Sequence, residues 1–321
     1  MGSISEEMLD VEIPLINISG YIKGDQEQTA RIAAELHAAC QSPGFFQITG
    51  HTVSTNLRAH LLAKLAEFYR LPASQKKALH RSQSKCLRGY EMVGEQKLEG
   101  GFSDQKEGFM IGPEFPLDAG FLQGPNQWPD DEAIPGFREV FTNYFEEVLA
   151  LSKIMFRLMA LSLGLDEHFF DAFVGSKDSI AMCRAHRYPP TTPEMAQKSR
   201  GIGAHSDFGA LTLLMQDDIG GLEVFHKPSQ TWHSVQPTED AFVVNIGDMM
   251  ERWTNNKYTS TLHRVISPIS SKDRYSIAFF NEGLLDQTIE CIPTCLKPGE
   301  KPLFEPTTAE AHLRARYGNS Y

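Results

Sequence analysis

The sequence is poor in cysteine, in positive charge and in long apolar runs, and each shortage excludes a class of protein. Five scattered cysteines cannot form the disulfide framework of a small secreted domain. With 30 Lys and Arg against 41 Asp and Glu, the formal net charge of −11 opposes binding to a phosphate backbone. The most apolar helical stretch, residues 154–165, contains Arg157 and is too short to span a bilayer. We therefore expect neither nucleic acid nor a membrane as a partner.

The composition is that of an ordinary folded chain. Hydrophobic residues make up 41% and charged residues 22% of the 321 residues, which excludes a disordered chain. The first seven residues are acidic and lack the apolar core of a secretory signal. Sparse, unpaired cysteines fit a reducing compartment, so we expect a cytoplasmic protein. No feature of the sequence indicates an obligate protein partner.

The first half of the sequence is patterned as helices and the second half as strands. Apolar residues at helical spacing predict helices over residues 26–40, 57–70, 136–163 and 166–173. Short strands are predicted at 11–17 and 44–48, and the Gly- and Pro-rich residues 84–130 predict long loops. After residue 179, short runs of β-branched and aromatic residues predict strands at 182–188, 211–216, 222–226, 241–246, 262–267 and 275–281. Many short strands favour a β-sandwich or barrel, with the jelly roll a main option.

Two histidines and one aspartate of the strand-rich half are candidate metal ligands. His205 and Asp207 are two residues apart, and in an extended strand such residues point to one face. His263 follows Asp207 by 56 residues, at the start of another predicted strand. Two imidazoles and one carboxylate form the facial triad of non-haem Fe(II) oxygenases, which leaves metal positions open. Taken alone, His263 is better explained as a core histidine satisfied by hydrogen bonds.

An Arg-x-Ser motif follows the second histidine. Arg274 lies 11 residues after His263, and Ser276 shares its strand face. The planar guanidinium can bond both oxygens of a carboxylate, and a hydroxyl can add a third hydrogen bond. The pair therefore suggests an anchor for a dicarboxylate such as 2-oxoglutarate. The alternative is an arginine that pairs with a structural glutamate.

Together, these motifs and their spacing closely resemble the 2-oxoglutarate-dependent Fe(II) dioxygenases of the isopenicillin N synthase-like superfamily. The resemblance extends over nearly the whole chain. Residues 13–16 and 40–51 look like the family's helical N-terminal region, and residues 242–249 and 253–256 look like the segment before its distal histidine. Residues 302–317 resemble the C-terminal helix of fungal members.

The resemblance implies a mainly β fold with helices, built on a distorted double-stranded β-helix, or jelly roll. It implies a mostly helical N-terminal region with pocket loops at 1–178, a jelly-roll core at 179–290 and a C-terminal tail and helix at 291–321. It further implies Fe(II) bound by His205, Asp207 and His263. The same likeness implies that Arg274 and Ser276 clamp a carboxylate of 2-oxoglutarate, and it points to Tyr188 as a phenol donor to that carboxylate.

The activity that the resemblance implies is oxidation of a small organic substrate by O2 and 2-oxoglutarate, with release of succinate and CO2. Hydroxylation, desaturation and ring formation are all open, and fungal secondary metabolism or small-acid and amino-acid metabolism is the expected setting. Where plant members commonly have Asn, this chain has His186, which contacts the cosubstrate, lines the substrate pocket or simply packs. The candidate substrate residues are Arg88, Tyr90, Lys106, Phe109, Arg184, His186 and Phe208.

Two other functions remain open at this point. The first is an Fe(II) oxidase of the same fold that uses O2 without 2-oxoglutarate, because isopenicillin N synthase also keeps an Arg-x-Ser motif. The second is a non-catalytic jelly-roll protein that binds a metal for stability. The complete set of metal and clamp residues argues against the second function.

Overall fold

The computed structural model describes residues 13–100 and 102–318 of the chain. Several sequence features lie outside these residues: the acidic N-terminus, residues 11 and 12 of the first predicted strand, and the last three residues. Within the described part, helices dominate the first half and strands the second, as the hydrophobic patterns predict.

Nine α-helices lie within residues 13–100 and 102–318. They are α1 Ser19–Ile22, α2 Gln26–Gln41, α3 Thr55–Tyr69, α4 Ala73–Lys77, α5 Phe137–Ser162, α6 Asp171–Gly175, α7 Pro193–Ala196, α8 Asp248–Trp253 and α9 Ala309–Tyr317. Side chains cap the N-termini of α2 and α3. The side chain of Asp25 accepts a hydrogen bond from the Gln28 amide, and the side chain of Ser54 accepts one from the Leu57 amide. None of the described helices is long and apolar enough to cross a membrane.

Two β-sheets make up most of the second half. The strands are β1 Leu15–Asn17, β2 Phe45–Thr49, β3 Gly89–Glu91, β4 Glu107–Ile111, β5 Ile180–Tyr188, β6 Ile202–His205, β7 Leu211–Gln216, β8 Leu222–His226, β9 Thr231–Ser234, β10 Phe242–Ile246, β11 His263–Val265, β12 Arg274–Gly283, β13 Thr288–Ile289 and β14 Thr307–Thr308. The large sheet has the order β1-β2-β10-β7-β12-β5-β4-β3, and the small sheet has the order β6-β11-β8-β9. Apart from the parallel pair β1–β2, the pairings between these strands are antiparallel. Two facing, mostly antiparallel sheets form the distorted jelly roll.

The two faces of the large sheet have different neighbours. On β5, Ala181, Cys183 and Ala185 point into the core that the sheet shares with α2, α3 and α5. On the opposite face, Tyr188 packs with Val224 and other residues of the small sheet. Because successive side chains of a strand alternate between faces, one strand supports both the helical core and the space between the sheets.

The structure extends the sequence predictions in the loop-rich region. Residues 84–130 contain β3 and β4, which lengthen the large sheet beyond β5. Each strand contains a buried glutamate, Glu91 in β3 and Glu107 in β4, at a position where a buried strand usually has an apolar residue. The cations that pair with them lie far away in the sequence, so the sequence pattern alone does not indicate a strand. The strands β6 and β9 were likewise missed, since each has only four residues.

The predicted helix at 166–173 is shorter and lies later than expected. Tight turns occupy residues 166–170, and α6 begins at Asp171. The side chain of Asp166 accepts a hydrogen bond from the His168 amide, which competes with a helical start at this point.

We expect the helical core to depend strongly on Phe68, which is fully buried at the end of α3. Its ring centroid lies 4.6 Å from that of Phe109 on the large sheet and 5.4 Å from that of Phe137 on α5. Phe68→Ala should lower the free energy of unfolding by about 3–5 kcal/mol because it leaves a cavity among these rings. Leu117→Ala, at a side chain that is 62% exposed, is the control in denaturant unfolding and should change little. An equal loss in both variants would contradict the assignment.

Candidate metal centre and active-site cavity

The small sheet brings His205 and His263 side by side. His205 ends β6, His263 begins β11, and the two residues are direct partners in the antiparallel pairing. Their ring centroids are 4.3 Å apart. Asp207 follows β6 by two residues, and its Oδ1 lies 3.7 Å from His205 Nε2 and 3.6 Å from His263 Nε2. The three sequence candidates therefore converge on one point.

Hydrogen bonds orient both imidazoles. Nδ1 of His205 is 2.8 Å from the carbonyl oxygen of Gly203, and Nδ1 of His263 is 3.1 Å from that of Thr261. A carbonyl can only accept, so each Nδ1 carries a proton, and in the neutral imidazole the lone pair is then on Nε2. Both lone pairs belong to the nitrogens that face Asp207. This is the tautomer that a metal ligand requires.

Asp207 is held in the same way through its other oxygen. Oδ2 accepts a 2.6 Å hydrogen bond from Thr212 Oγ1 and a 2.7 Å hydrogen bond from Asn245 Nδ2. Thr212 lies on β7 and Asn245 on β10, so two strands of the large sheet fix a carboxylate that belongs to the loop after β6. Oδ1 remains directed at the two histidines.

The electrostatics favour a deprotonated ligand set. Burial lowers the pKa of His205 to about 4, and the neighbouring His263 adds to this, so the imidazole stays neutral at physiological pH. Burial opposes the charge of Asp207, but His263, His205 and the two hydrogen bonds outweigh it and lower the pKa of that carboxyl. Neutral imidazoles and an ionised carboxylate suit Fe(II), and these residues fit the metal. A search of the described residues for three or more His, Cys, Asp or Glu side chains close enough to hold a metal ion finds His205, Asp207 and His263.

A buried arginine lies at one end of the same cavity. Arg274 is fully buried; its Nε donates to the Gly220 carbonyl oxygen and its Nη2 donates to Gln216 Oε1 at 3.1 Å. Its Nη1 is buried without a hydrogen-bond partner among the described residues. An unpaired guanidinium nitrogen beside a cavity has the chemistry to receive a carboxylate.

Two hydroxyl groups lie beside this guanidinium. Tyr188 Oη is 3.3 Å from Ser276 Oγ, and the Tyr188 ring lies under Arg274 with 4.7 Å from the ring centroid to Cζ. The pairing of β12 with β5 produces this arrangement, because Arg274 is opposite Tyr188. Burial raises the pKa of Tyr188, so its phenol keeps its proton and can donate it.

The triad and the arginine group line one cavity between the two sheets. Three of the candidate substrate residues also line it: Arg184, His186 and Phe208. His186 is buried, with Nε2 unpaired among the described residues, and burial together with the charges of Lys106 and Arg184 holds its pKa well below the usual range. Arg184 is paired with Glu91. The structure thus places His186 next to the cavity as a neutral imidazole.

Arg88, Tyr90 and Phe109, also candidate substrate residues, do not line this cavity. Arg88 is fully buried and donates to backbone carbonyls, at 3.2 Å in the case of Leu122. Tyr90 donates a 2.6 Å hydrogen bond to Glu107. Phe109 points into the helical core, because it is opposite Ala185 on β5 and both belong to the face away from the cavity.

Lys106 also lies outside the cavity walls. It is fully buried and paired with Glu91, and it donates a 3.0 Å hydrogen bond to Gln96. Burial lowers the pKa of Lys106 to about 8. Its role in the structure is therefore to support the polar wall behind the cavity.

Several cavity residues were missed in the sequence: Met110, Met182, Thr212, Asn245, Phe280, Glu282 and Tyr317. Strand alternation gives a usable signal for two of them. Continuing from Arg274 and Ser276 in steps of two leads to Phe280 and Glu282 on the same face. The others come from β4, β5, β7, β10 and α9, and only the tertiary structure brings them together.

The motifs at this site agree with two family models. Residues 13–131 match the model of the non-haem dioxygenase in morphine synthesis N-terminal region, and residues 179–283 match that of the 2OG-Fe(II) oxygenase superfamily. The second match contains both histidines, Asp207 and the Arg-x-Ser motif. A jelly roll with a two-histidine, one-carboxylate centre is the architecture of a non-haem iron oxygenase.

Similar proteins cover the chain almost completely. The 2-oxoglutarate-Fe(II) type oxidoreductase hxnY of Emericella nidulans is 38% identical, over 96% of this chain and 90% of its own length. The 2-oxoglutarate-dependent dioxygenase citB of Monascus ruber is 37% identical, over 96% of this chain and 95% of its own. Among solved structures, a full-length Neurospora crassa protein in complex with alpha-KG superposes with a TM-score of 0.86, at 30% identity and 96% coverage of both chains.

The chain belongs to the 2-oxoglutarate-Fe(II) oxygenase superfamily. It is accordingly an oxidoreductase whose cofactor is Fe(II) and whose cosubstrates are 2-oxoglutarate and O2. The fold and the enzyme class that the sequence motifs predicted are confirmed. A non-catalytic jelly-roll protein is not supported, because the relatives that match over the full chain are named as oxidoreductases or dioxygenases.

Asn245 should control metal affinity without being a ligand. Asn245→Leu removes one of two hydrogen bonds that hold Asp207, so we expect Fe(II) affinity to fall about 10- to 100-fold. Anaerobic Fe(II) titration of the folded protein measures this effect. The control is Asn143→Leu, the same replacement at a position of α5 away from the cavity, which should leave affinity unchanged. Equal affinity in wild type and Asn245→Leu would contradict the role of this amide.

Proposed function

We propose that His205, Asp207 and His263 hold Fe(II) in this enzyme. The support is the convergence of their donor atoms, with Oδ1 of the carboxylate 3.6–3.7 Å from the two imidazole nitrogens. When bound there, Fe(II) supplies the activation of O2 and the oxidation chemistry. The residues around it hold each imidazole as the Nδ1–H tautomer and keep the carboxylate ionised.

Arg274, Ser276 and Tyr188 form the proposed anchor for the distal carboxylate of 2-oxoglutarate. The observation that carries this assignment is the unpaired Nη1 of a fully buried arginine in the cavity that also holds the triad. A buried cation with an unused donor is stabilised by an anion that reaches it. Ser276 and Tyr188 add hydroxyl donors on the same sheet face. The three side chains thereby fix the direction in which the dicarboxylate enters.

The remaining part of the cavity is the proposed substrate site. Its wall is mostly apolar, with Met182, Phe208 and Phe280 among the lining residues. We infer a small organic substrate that is oxidised by hydroxylation, desaturation or ring formation. Thymine is bound with alpha-KG in one structure of the similar Neurospora crassa protein, which is consistent with a substrate of this size.

A direct test of the reaction follows the fate of 2-oxoglutarate. Enzyme with Fe(II), O2 and candidate substrates should convert it to succinate, faster with a true substrate than without one. Oxidation of a substrate with O2 but without 2-oxoglutarate would instead identify the oxidase of the same fold. Anaerobic addition of 2-oxoglutarate to the Fe(II) enzyme should also produce a weak visible absorption. Its absence would contradict the proposed binding mode.

The three proposed metal ligands should be individually essential. His205→Ala, Asp207→Ala and His263→Ala are each expected to abolish turnover, because each removes a donor atom from an already open site. Circular dichroism should show an intact fold, since the strands pack without the metal. A matched control is His226→Ala, at a histidine outside the cavity, which should keep full activity. Substantial turnover in one of the triad variants would remove that residue from the ligand set.

Arg274→Gln tests the anchor separately from the metal. Truncating one partner of a bidentate, charge-assisted pair costs about 2–5 kcal/mol, so the 2-oxoglutarate concentration required should rise about 30-fold or more. Fe(II) affinity should stay nearly constant. Arg274→Lys should recover only part of the loss, because an ammonium cannot form the fork. A purely structural arginine would instead give a lower melting temperature with an unchanged 2-oxoglutarate requirement.

A further inference from the structure

A buried glutamate in the cavity has no role in the metal centre or the anchor. Glu282 is 2% exposed, lines the cavity, and has a buried Oε2 without a hydrogen-bond partner among the described residues. A buried, unpaired carboxyl oxygen costs free energy and calls for an explanation. Neither a metal ligand nor an ion-pair partner explains it. The described donors that are close enough to share an ion include only His205, Asp207 and His263, and the described salt bridges include none to Glu282.

The backbone is built to present this side chain. Along the β12–β5 pairing, Asn281 is opposite Ala181 and Gly283 is opposite Ile180, so Glu282 is the extra residue of a β-bulge. Bulges change the direction of a side chain and are frequent beside active sites. Asn281 points the other way and donates to Ser152 of α5 at 2.9 Å. The side chain of Asn281 therefore points into the helical core, whereas that of Glu282 points into the cavity.

The loop after the metal ligands leaves room for the carboxyl group. A Cβ atom at Gly209 would collide with the carboxyl group of Glu282 in its present position, so the carboxyl group lies directly against the backbone of Gly209. Gly209 follows Asp207 by two residues and lies next to Phe208, another cavity residue. A group that binds Glu282 is therefore held beside the metal centre rather than at the Arg274 end.

The walls around Glu282 are suited to a flat ring. Phe280 precedes it on the same face of β12, and the rings of Phe208 and Tyr317 meet edge to face, with 5.3 Å between centroids. The thioether of Met182 lines the same cavity, and sulfur packs well against aromatic edges. The three aromatic rings come from β12, the loop after β6 and α9. Aromatic side chains from three separate elements therefore line the same cavity as Glu282.

We propose that Glu282 is a substrate-binding residue that accepts a hydrogen bond from an N–H or O–H group on a small aromatic or heteroaromatic substrate. The inference rests on the proposed function, because it places the substrate in the part of the cavity that the anchor leaves free. It adds the chemical class of the substrate and the side chain that orients it. The substrate supplies the hydrogen bond that Oε2 lacks among the described residues.

The test uses pairs of probes that differ in the donor. The pairs are 2-pyridone with 1-methyl-2-pyridone and phenol with anisole, and the readout is succinate formed above the substrate-free rate by the Fe(II)-loaded enzyme. In the wild type, at least one donor compound should stimulate about 10-fold more than its methylated partner, as expected for one hydrogen bond to a buried group. Glu282→Met should remove this preference, and Glu282→Gln, which keeps an acceptor, should retain part of it.

Stability and cosubstrate binding are measured on the same variants. Glu282→Met should melt at or above the wild-type temperature, because the fold gains nothing from an unpaired buried acid. Glu290→Met, at an exposed position, is the matched control. The visible absorption of the anaerobic Fe(II)–2-oxoglutarate complex should be the same in all variants. Its absence from the wild type would refute the proposed function rather than the role of Glu282.

Two results would overturn the proposal. One is a wild-type enzyme that does not favour the donor over the methylated partner in either pair. The other is a clearly lower melting temperature of Glu282→Met with an unchanged probe preference, which would make Glu282 a structural residue. If Glu282→Met does not fold, Glu282→Gln provides the same stability comparison.

Discussion

The buried carboxylate of Asp207 between two imidazoles is the interaction on which the active centre depends. Its position requires three elements at once: the β6–β11 pairing that aligns His205 with His263, and the amide and hydroxyl groups of Asn245 and Thr212 that hold Oδ2. A shift of one residue in the β6–β11 register would turn an imidazole to the opposite face. The pairing register of a small sheet thus sets whether a metal can be held.

The large sheet links stability and function through strand alternation. On β12, Ile277 and Phe279 are fully buried in the helical core, whereas Ser276 and Phe280 face the cavity. The same strand is paired along most of its length with both β5 and β7. Side chains on a central strand are positioned more precisely than side chains on a loop. Packing of the helical core against one face of the sheet therefore also fixes the positions of the side chains that line the cavity on the other face.

Sequence motifs predicted the parts of the site that lie close together in the chain. His205 with Asp207, and Arg274 with Ser276, are pairs two residues apart on extended backbone, so spacing alone indicates a shared direction. Spacing in the sequence does not indicate which strands pair with each other, or in which register. The sequence analysis named Phe109 as a candidate substrate residue, but its neighbour Met110 lines the cavity, because the register of β4 with β5 sets which of the two side chains faces it. The same holds for the partners of Asp207, which come from two separate strands.

The placement of Arg274 and Glu282 on one strand constrains how the two reactants meet. Arg274 begins β12, and Glu282 lies at its far end, in the bulge. Because β12 is paired with β5 from Arg274 to Asn281 and with β7 from Ser276 to Asn281, the separation between the proposed cosubstrate anchor and the proposed substrate acceptor varies less than it would between two loops. The proposed metal ligands reach the cavity from the small sheet and from the loop after β6. Under this proposal, the substrate bond that faces the metal depends on how the two sheets pack, and the contacts of Tyr188, Val224 and Val265 between the sheets contribute to that packing.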